Sequence, residues 1–294
     1  MRNILVITGG AGFIGSNLIL QLLKFKKFNI ISLDNYSSGL SKNQIKNKRV
    51  KYLRGNTKNI EILLKSYADK IHSIFHFGEF ARIYQSFKKI NECFASNIEG
   101  SSNVFNFALK NKIRLIYSAT SANLGNKGQD MNLSPYAFSK AKNLELLENL
   151  KKWFNFRYEV IYFYNVYGER QICKGDMATI VGIFEDCFKF GKKLPVVRPG
   201  TQERRFTHVF DTVIACIFAW RKNKSKHYSI ASKQSHSIIE LAKMFKSKIK
   251  YLPKREGERF ASALTKMNLN NKIIRLSAKI KLRDYIKNFL INNR

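Results

Sequence analysis

Met-Arg-Asn-Ile-Leu-Val-Ile-Thr-Gly-Gly-Ala-Gly-Phe-Ile-Gly, residues 1–15, is the stretch of sequence that decides the fold. Ile4 to Ile7 form a continuous apolar run, which is typical of a short strand buried on both faces. A strand, a glycine turn and a helix in this order predict a dinucleotide site, where a diphosphate meets free N–H groups at the positive end of the helix. The residues expected to contact the cofactor are Gly9, Gly12, Phe13, Ile14 and Gly15.

The next strand carries a second cofactor signal. Ile30 to Leu33 form another apolar run, and Asp34 and Asn35 stand directly at its carboxyl end. A carboxylate in this position accepts hydrogen bonds from the ribose diol of an adenosine and repels a 2′-phosphate. We therefore expect Asp34 and Asn35 to bind the cofactor, and we predict that the cofactor is NAD and not NADP.

Apolar strands and helical patterns alternate through the first half of the chain. Val50 to Leu53, Ser73 to Phe77 and Ile113 to Tyr117 are interpreted as further strands. Their alternation with helices predicts an α/β protein with a Rossmann-type doubly wound parallel sheet. Such sheets bind ligands at the carboxyl ends of their strands, so the residues there are expected to border the cofactor: Asn56, Thr57, Phe77, Gly78, Glu79 and Ser118.

Two packed units are expected. Residues 1–168 are predicted to form the NAD-binding domain and residues 169–294 a smaller, mixed substrate-binding domain, with 206–222 packing back onto the first domain. An apolar stripe predicts one long helix from about Phe87 to Lys110. A further helix is predicted from Asp211 to Trp220, with Asp211 as its cap.

Composition narrows the class of protein. No uncharged apolar run is long enough to span a bilayer and no signal sequence precedes the first strand, so a cytoplasmic protein without a membrane segment is expected. The 4 cysteines are scattered singly, which argues against a zinc site and suits a reducing compartment. The net charge of +33 is spread along the chain, which favours a solvated cationic surface over a nucleic-acid site.

The end of the fifth strand and the helix beyond it carry the catalytic signal. Ser134 and Pro135 are typical of a helix start, and Tyr136 and Lys140 lie four residues apart on that helix. An ammonium beside a phenol lowers the pKa of the phenol toward neutrality. Thr120, at the end of the fifth strand, is placed to hydrogen-bond both the phenolate and a substrate hydroxyl. Thr120, Tyr136 and Lys140 are therefore the predicted catalytic residues, and Tyr136 and Lys140 are expected to contact the cofactor as well.

These motifs resemble those of the extended short-chain dehydrogenase/reductase family, most closely its nucleotide-sugar epimerases typified by UDP-glucose 4-epimerase. The matching segments are Thr8–Gly15, Leu33–Asn35, Asn97–Gly100 and Ser134–Lys140. The resemblance implies bound NAD, and it implies that Asn97 supports the active-site strand and a proton path near the cofactor.

The same resemblance assigns substrate residues in the second half of the chain. It implies that Asn165, Arg204 and Arg255 bind the substrate diphosphate, that Glu258 binds the nucleotide ribose, and that the small Ser262 leaves room for an N-acetylated sugar. Two arginines suit a diphosphate because each guanidinium offers two parallel charge-assisted hydrogen bonds. Arg205 stands where these enzymes usually have Asp.

The expected function is NAD-dependent epimerisation of a nucleoside-diphosphate sugar, most closely a UDP-hexose at C4, through a transient 4-keto sugar. The expected hexoses are glucose and galactose or their N-acetyl forms. The resemblance also implies a homodimer that joins through the long helices near Phe87 and Tyr136. No metal is expected.

Three alternatives stay open. A 4,6-dehydratase is disfavoured, because Ser121 and Ala122 follow Thr120 where those enzymes carry acids. A heptose 6-epimerase acting on an ADP-linked sugar is suggested by Cys173–Ala178, in which Lys174 would be a second acid/base. A non-catalytic nucleic-acid-binding relative of the fold is suggested by the charge alone, and the intact Thr120, Tyr136 and Lys140 count against it.

Overall fold

The computed structural model describes residues 2–254 and 273–293, without the side chains of 125–129. The strands, in chain order, are β1 Ile4–Thr8, β2 Asn29–Asp34, β3 Val50–Arg54, β4 Ile71–His76, β5 Arg114–Thr120, β6 Tyr158–Phe163, β7 Val166–Tyr167, β8 Leu194–Val197, β9 Glu203–Arg204, β10 Thr207–His208, β11 His227–Ala231, β12 His236–Ser237, β13 Ile249–Leu252 and β14 Ile273–Ser277.

The helices alternate with these strands through most of the chain. They are α1 Phe13–Leu22, α2 Ile60–Leu64, α3 Ile83–Lys88, α4 Ile90–Phe94, α5 Ser101–Lys110, α6 Pro135–Phe154, α7 Ile180–Lys189, α8 Val209–Lys222, α9 Ile238–Met244 and α10 Leu282–Ile291. A π-helical turn over Ala95–Gly100 joins α4 to α5.

An 8-stranded sheet in the order β14-β11-β6-β5-β4-β1-β2-β3 organises the molecule. Its neighbouring strands all pair in parallel, which confirms the predicted Rossmann-type sheet. The chain reverses direction across the sheet between β1 and β4, which is the switch point where doubly wound sheets open a ligand crevice.

The hydrophobic core lies on both faces of this sheet. Val6, Leu115 and Val160 belong to the cluster on one face, whereas Leu5, Ile116 and Ile161 belong to the cluster on the other. The side chains of a strand alternate between faces, so these strands carry apolar residues at consecutive positions because both faces are covered. The continuous apolar runs of the sequence follow from that burial.

A third cluster gives the second half of the chain its own core. Val181 and Phe184 of α7, Leu194 of β8 and Ile286 of α10 pack together in it. The boundary between two domains at residues 168 and 169 stays a prediction. Helix α8 packs on the main sheet, and β11 and β14, which lie beyond residue 169, join that sheet.

Two helices differ from the sequence prediction. The predicted helix from Phe87 to Lys110 is divided into α4, the π-helical turn and α5, with α3 before them. Helix α8 begins earlier than predicted, and its cap is His208, whose Nδ1 accepts a hydrogen bond from Phe210 N at 3.2 Å. Asp211 instead accepts hydrogen bonds from the backbone of Lys279 and Ile280, each at 2.9 Å.

Candidate active site

A cleft of about 480 Å³ opens at the carboxyl ends of β1, β2, β4, β5 and β6. It holds most of the residues singled out in the sequence. Those lining it are Gly9, Gly12, Phe13, Ile14, Gly15, Asp34, Asn35, Thr57, Phe77, Gly78, Glu79, Ser118, Thr120, Tyr136, Lys140, Asn165 and Arg204. The fold therefore brings the predicted cofactor, catalytic and diphosphate residues into one cavity.

The glycine turn at the end of β1 leaves no room for side chains. A Cβ at Gly15 would lie 2.2 Å from Gly9 O, and one at Gly9 would lie 2.9 Å from Gly78 Cα. Gly9 also has a φ of +71°, which glycine adopts at little cost. Helix α1 then begins at Phe13 with no acidic residue in its first turn. The free N–H groups of α1 and the positive end of its dipole therefore face an anion site.

Asp34 closes the other side of this turn. Its Oδ2 accepts a hydrogen bond from Ala11 N at 2.9 Å, and its Oδ1 accepts one from Tyr36 N at 2.8 Å. Burial raises the pKa of the Asp34 carboxyl, and the backbone hydrogen bonds oppose that rise. The carboxylate is thus held at the end of β2 while it lines the cleft, where a ribose diol can reach it.

Helix α6 presents Tyr136 and Lys140 to the cleft. Ser134 caps the helix, since its Oγ accepts a hydrogen bond from Ala137 N at 3.1 Å, and Pro135 occupies the first turn. The Lys140 ammonium donates to the carbonyl of Ser118 at the end of β5. Strand β5 also ends at Thr120, whose Oγ1 accepts a hydrogen bond from Ala122 N at 3.2 Å.

Glu79 was missed in the sequence analysis as a partner of Lys140. Its carboxylate forms a buried salt bridge with the Lys140 ammonium, and the two side chains are 3% and 4% exposed, respectively. It also accepts hydrogen bonds from Ser101 Oγ at 2.9 Å, Tyr117 OH at 3.0 Å and Asn143 Nδ2 at 3.2 Å. These donors hold the Glu79 carboxylate in one orientation beside Lys140.

Burial and the nearby Glu79 carboxylate change the pKa of Lys140 in opposite directions. Burial lowers the pKa of the Lys140 ammonium, whereas Glu79 raises it. The same burial raises the pKa of Tyr117 well above its ordinary value, and Glu79 raises it further. Tyr117 therefore stays a neutral donor to Glu79, and the Lys140 ammonium lies 4.3 Å from the centre of its ring.

Arg82 is a second residue that the sequence analysis missed. It lines the cleft just before α3, where Nη1 donates to Ala81 O at 2.8 Å and Nη2 donates to Met177 O. Its Nε is buried without a hydrogen-bond partner, and within residues 2–254 and 273–293 no carboxylate pairs with it. Glu79 and Arg82 are both charged residues in the loop between the apolar strand β4 and α3, which was the available signal in the sequence.

Two predicted cofactor residues do not line the cleft. Asn56 caps the short 3-10 helix that follows β3, accepting a hydrogen bond from Lys58 N at 3.0 Å. Asn97 is buried behind the cleft, where its Oδ1 accepts from Phe80 N at 2.7 Å and its Nδ2 donates to Ser139 Oγ at 3.1 Å. Asn97 therefore ties the loop after β4 to helix α6, which suits the supporting role and not direct cofactor contact.

Only some of the predicted substrate residues in the second half of the chain lie in the described part of the structure. Asn165 and Arg204 line the cleft, while Arg255, Glu258 and Ser262 lie outside the described residues. Arg205, which stands where the resembling enzymes have Asp, donates from Nη1 to the carbonyls of Ser232 and Lys233 at 2.7 and 2.6 Å. It thus anchors the loop after β11.

Lys174 does not point into the cleft. Its ammonium lies 3.4 Å from Asp186 Oδ1 on α7 and 4.8 Å from the centre of the Phe190 ring, and its side chain is 68% exposed. The neighbouring residues Ile172 and Met177 line the cleft instead. The position of Lys174 therefore gives no support to a second acid/base in this segment.

Residues 2–254 and 273–293 hold no cluster of three or more side chains able to ligate a metal ion. In the same part of the chain, no helix is both long enough and apolar enough to cross a membrane.

The comparisons with known proteins agree with the geometry. Residues 5–231 match the model of the NAD dependent epimerase/dehydratase family. The chain is 28% identical over 257 residues to an ADP-L-glycero-D-manno-heptose-6-epimerase of Brachyspira hyodysenteriae, covering 82% of this chain and 80% of that protein. It is 27% identical over 272 residues to a putative UDP-glucose 4-epimerase of Methanocaldococcus jannaschii, covering 86% and 87% of the two chains.

A solved structure extends the likeness over the whole chain. The UDP-glucose 4-epimerase of Thermotoga maritima, solved with UDP-glucose, has a TM-score of 0.88 at 24% identity and covers 98% of this chain and 97% of its own. The protein belongs to the NAD dependent epimerase/dehydratase family. It is an NAD-dependent nucleotide-sugar epimerase, which confirms the family, the cofactor and the general reaction expected from the sequence.

Proposed function

We propose that the protein interconverts a UDP-linked hexose at C4, glucose with galactose or their N-acetyl forms. The observation that carries the proposal is the shared cleft, in which Thr120, Tyr136 and Lys140 stand beside the glycine turn and Asp34. The similarity to the putative UDP-glucose 4-epimerase of Methanocaldococcus jannaschii and to the UDP-glucose 4-epimerase of Thermotoga maritima supports the choice of substrate.

The chain's own residues account for the proton transfers. Bound NAD supplies a hydride acceptor and donor at the substrate carbon. Tyr136, as the phenolate, takes the proton of the 4-hydroxyl and later returns it, so the sugar gains and loses nothing overall. Thr120 hydrogen-bonds the same oxygen, and Asn165 and Arg204 hold the diphosphate so that the 4-keto sugar can present either face.

Tyr136→Phe tests the proposal directly. Because the phenylalanine ring keeps the shape but cannot accept the proton, epimerisation should fall by roughly a hundredfold or more. The measurement is product formation by NMR, with NAD binding measured alongside by fluorescence. Phe138→Leu on the same helix is the matched control, and turnover of Tyr136→Phe near the unmodified rate contradicts the assignment.

A substrate panel separates the alternatives. UDP-glucose, UDP-galactose, their N-acetyl forms, and GDP- and ADP-linked sugars are incubated with the purified protein without added NAD. Turnover of a UDP-hexose supports the proposal and shows that NAD co-purifies. Turnover of an ADP-heptose alone favours the heptose reaction instead, and tight salt-sensitive RNA binding without any turnover favours the nucleic-acid alternative.

We further propose a homodimer in the cytoplasm. Ile90 of α4 and Phe138 of α6 are 44% and 37% exposed, and they lie on neighbouring helices whose rings at Phe94 and Phe138 are 6.1 Å apart. A second copy of the chain packed on these helices would cover this apolar face.

The described cysteines are all free thiols, which supports a reducing compartment.

A further inference from the structure

The fold gathers positive charge at the end of the main sheet that lies opposite the cleft. The strands from β11 to β3 are all parallel, so the segments that enter them meet at one edge of the sheet. We call six of these segments the amino-end surface, and each carries at least two exposed Lys or Arg side chains: 24–28, 46–49, 65–70, 110–113, 151–157 and 221–226. Asp69 is the only acidic residue in these six described segments. Charge that is spread along the sequence is thus concentrated in the structure.

Hydrogen bonds between the segments show that they form one continuous surface. Arg49 Nη1 donates to the carbonyls of Phe25 and Phe28 at 3.2 and 3.1 Å, respectively. Lys151 Nζ donates to Ser225 O at 3.3 Å. Neighbouring strands lie about 4.8 Å apart, so the seven strands from β11 to β3 make the amino-end surface roughly 30 Å wide.

Most of this positive charge is not neutralised by the protein itself. Within residues 2–254 and 273–293, Lys110 is the only cation of the amino-end surface in a salt bridge, with Glu61 at 2.7 Å. Like charges gathered on one surface repel each other and attract an anionic partner. The amino-end surface is therefore complementary to a wide layer of negative charge.

Two aromatic rings stand exposed among these cations. Trp153 and Phe154, in the last turn of α6, are 63% and 59% exposed, and their ring centres lie 6.2 Å apart. Asn155 then turns the chain in a left-handed conformation, and Phe156 returns to the core at 4% exposed. Both exposed rings lie roughly 20 Å along α6 from Phe138, and so beyond the apolar face proposed for the dimer.

We propose that the amino-end surface docks the protein on a membrane whose surface carries anionic phospholipids. The lysines lie against the layer of headgroup phosphates, and Trp153 and Phe154 enter the zone between the headgroups and the acyl chains. Trp favours that zone because its ring is apolar and its N–H can still reach water or a phosphate. Docking of this kind needs no spanning helix, and it leaves the cleft at the other end of the sheet open to solvent.

The chemistry of this surface favours a membrane over a nucleic acid. The guanidinium of Arg49 is engaged with backbone carbonyls, and that of Arg2 donates to Lys112 O and Asn111 O, each at 2.8 Å. The exposed cations that remain are mostly lysines, which are attracted to phosphates as point charges and need no fixed geometry.

The aromatic pair argues in the same direction. The rings of Trp153 and Phe154 are inclined at 80° to each other, so they cannot stack on two successive bases at once. Insertion between lipid headgroups does not require the two rings to be parallel. The pair is therefore better suited to a lipid layer than to a single nucleic-acid strand.

The first experiment measures vesicle binding by the unmodified protein. In flotation assays at physiological ionic strength, vesicles of equal parts phosphatidylcholine and phosphatidylglycerol should carry the protein with them, whereas pure phosphatidylcholine vesicles should not. Added salt should release it, because salt screens the attraction. The chain has 2 tryptophans, and the other one, Trp220, is 5% exposed. A shift of the emission to shorter wavelength with anionic vesicles therefore reports that Trp153 has left water.

Ring substitutions test the insertion. Trp153→Ala combined with Phe154→Ala should weaken binding to the anionic vesicles by about tenfold or more, because two apolar rings no longer enter the lipid. Phe190→Ala is the matched control, since Phe190 is 60% exposed and lies beside the lysine side chains of Lys174 and Lys192, outside the amino-end surface. It should change the binding less than twofold.

Charge substitutions test the electrostatic part. Lys151→Glu combined with Lys152→Glu should weaken binding by about tenfold or more and reduce the emission shift of the neighbouring Trp153. Lys192→Glu combined with Lys193→Glu is the matched control, because it changes the net charge equally in the exposed loop before β8. This control should keep the binding and the emission shift of the unmodified protein.

Several results overturn the proposal. Binding that does not distinguish neutral from anionic vesicles does so, and so does an equal loss in the two lysine pairs, which makes net charge the cause. Tight, salt-sensitive RNA binding without vesicle binding assigns the surface to a nucleic acid. A monomeric Trp153→Ala protein in sedimentation velocity assigns the rings to a contact between two copies of the chain.

The variants are compared only where they melt cooperatively and bind NAD. The ring pair and the lysine pair each test the proposal alone, so a folding failure of one leaves the other decisive. None of these readouts uses turnover of a sugar, so they do not depend on the proposed function.

Discussion

At the scale of single residues, Glu79 opposes the effect of burial on the pKa of Lys140. Lys140 is buried, and burial by itself lowers the pKa of its ammonium. The carboxylate of Glu79 offsets much of that effect, because it keeps an opposite charge within hydrogen-bond distance. The lysine can therefore remain an ammonium that donates to Ser118 O and leaves a donor for the cofactor ribose.

Glu79→Gln should move the falling, alkaline limb of the activity profile to lower pH. The glutamine keeps the hydrogen bonds from Ser101 and Tyr117 but removes the charge, so Lys140 loses its proton about one unit or more earlier. The profile of kcat/KM against pH measures this shift. Glu159→Gln removes another buried carboxylate, one held by the backbone of Ser225 and Lys226, and should leave the profile in place. An unmoved alkaline limb in Glu79→Gln would contradict the role of Glu79.

At the scale of secondary structure, the turn between β1 and α1 depends on absent side chains. Gly15→Ala should weaken both thermal stability and NAD binding, because its Cβ would meet Gly9 O at 2.2 Å and force the turn open. Overpacking of this kind costs about 1–3 kcal/mol. A Cβ at Gly12 would lie 3.1 Å from the same oxygen, so Gly12→Ala should keep more of the stability. Thermal melts and NAD titrations of both variants measure the difference, and equal losses of stability would refute this order.

The elements also show what the sequence could predict. Buried strands such as β1 and β5 were predictable, since both faces are covered and each strand therefore carries a run of consecutive apolar residues. The helix α6 was predictable from Ser134 and Pro135. The break between α4 and α5 was not, because Asn97 turns inward to bond the backbone of Phe80, and that contact exists only after the fold has formed. A π-helical turn there accommodates it.

The residues of the candidate site, too, were predictable where local structure places them and not where distant contacts do. Residues that act through local backbone geometry, such as Asp34 at a strand end, were predictable. The salt bridge of Glu79 with Lys140 and the position of Arg82 were not, because they depend on α6 and on the loop around Met177, which come much later in the chain. Asn56 caps a short 3-10 helix after β3, and Asn97 lies in the π-helical turn; neither side chain lines the cleft, and local sequence does not decide which way such a side chain points.

At the scale of the whole molecule, the apolar face on α4 and α6 predicts the assembly state. Phe138→Asp should weaken the dimer by roughly tenfold or more, because a carboxylate would be buried at its centre. Sedimentation velocity over a range of concentrations measures this. Ile62→Asp is the control, since Ile62 is 80% exposed on α2, away from that face. A monomeric unmodified protein, or a dimer insensitive to Phe138→Asp, would contradict the proposed interface.

Strand β14 pairs with β11 at one edge of the main sheet, although α9 and β13 separate the two strands in the sequence. Tyr228 and Ile230 of β11 are 0% and 3% exposed in the finished sheet. Until β14 arrives, the outer edge of β11 presents a row of unpaired backbone groups beside apolar side chains, which is a template for association with other chains. Strand β14, which follows β11 by some forty residues, thus covers an edge of β11 that is otherwise open to association with other chains.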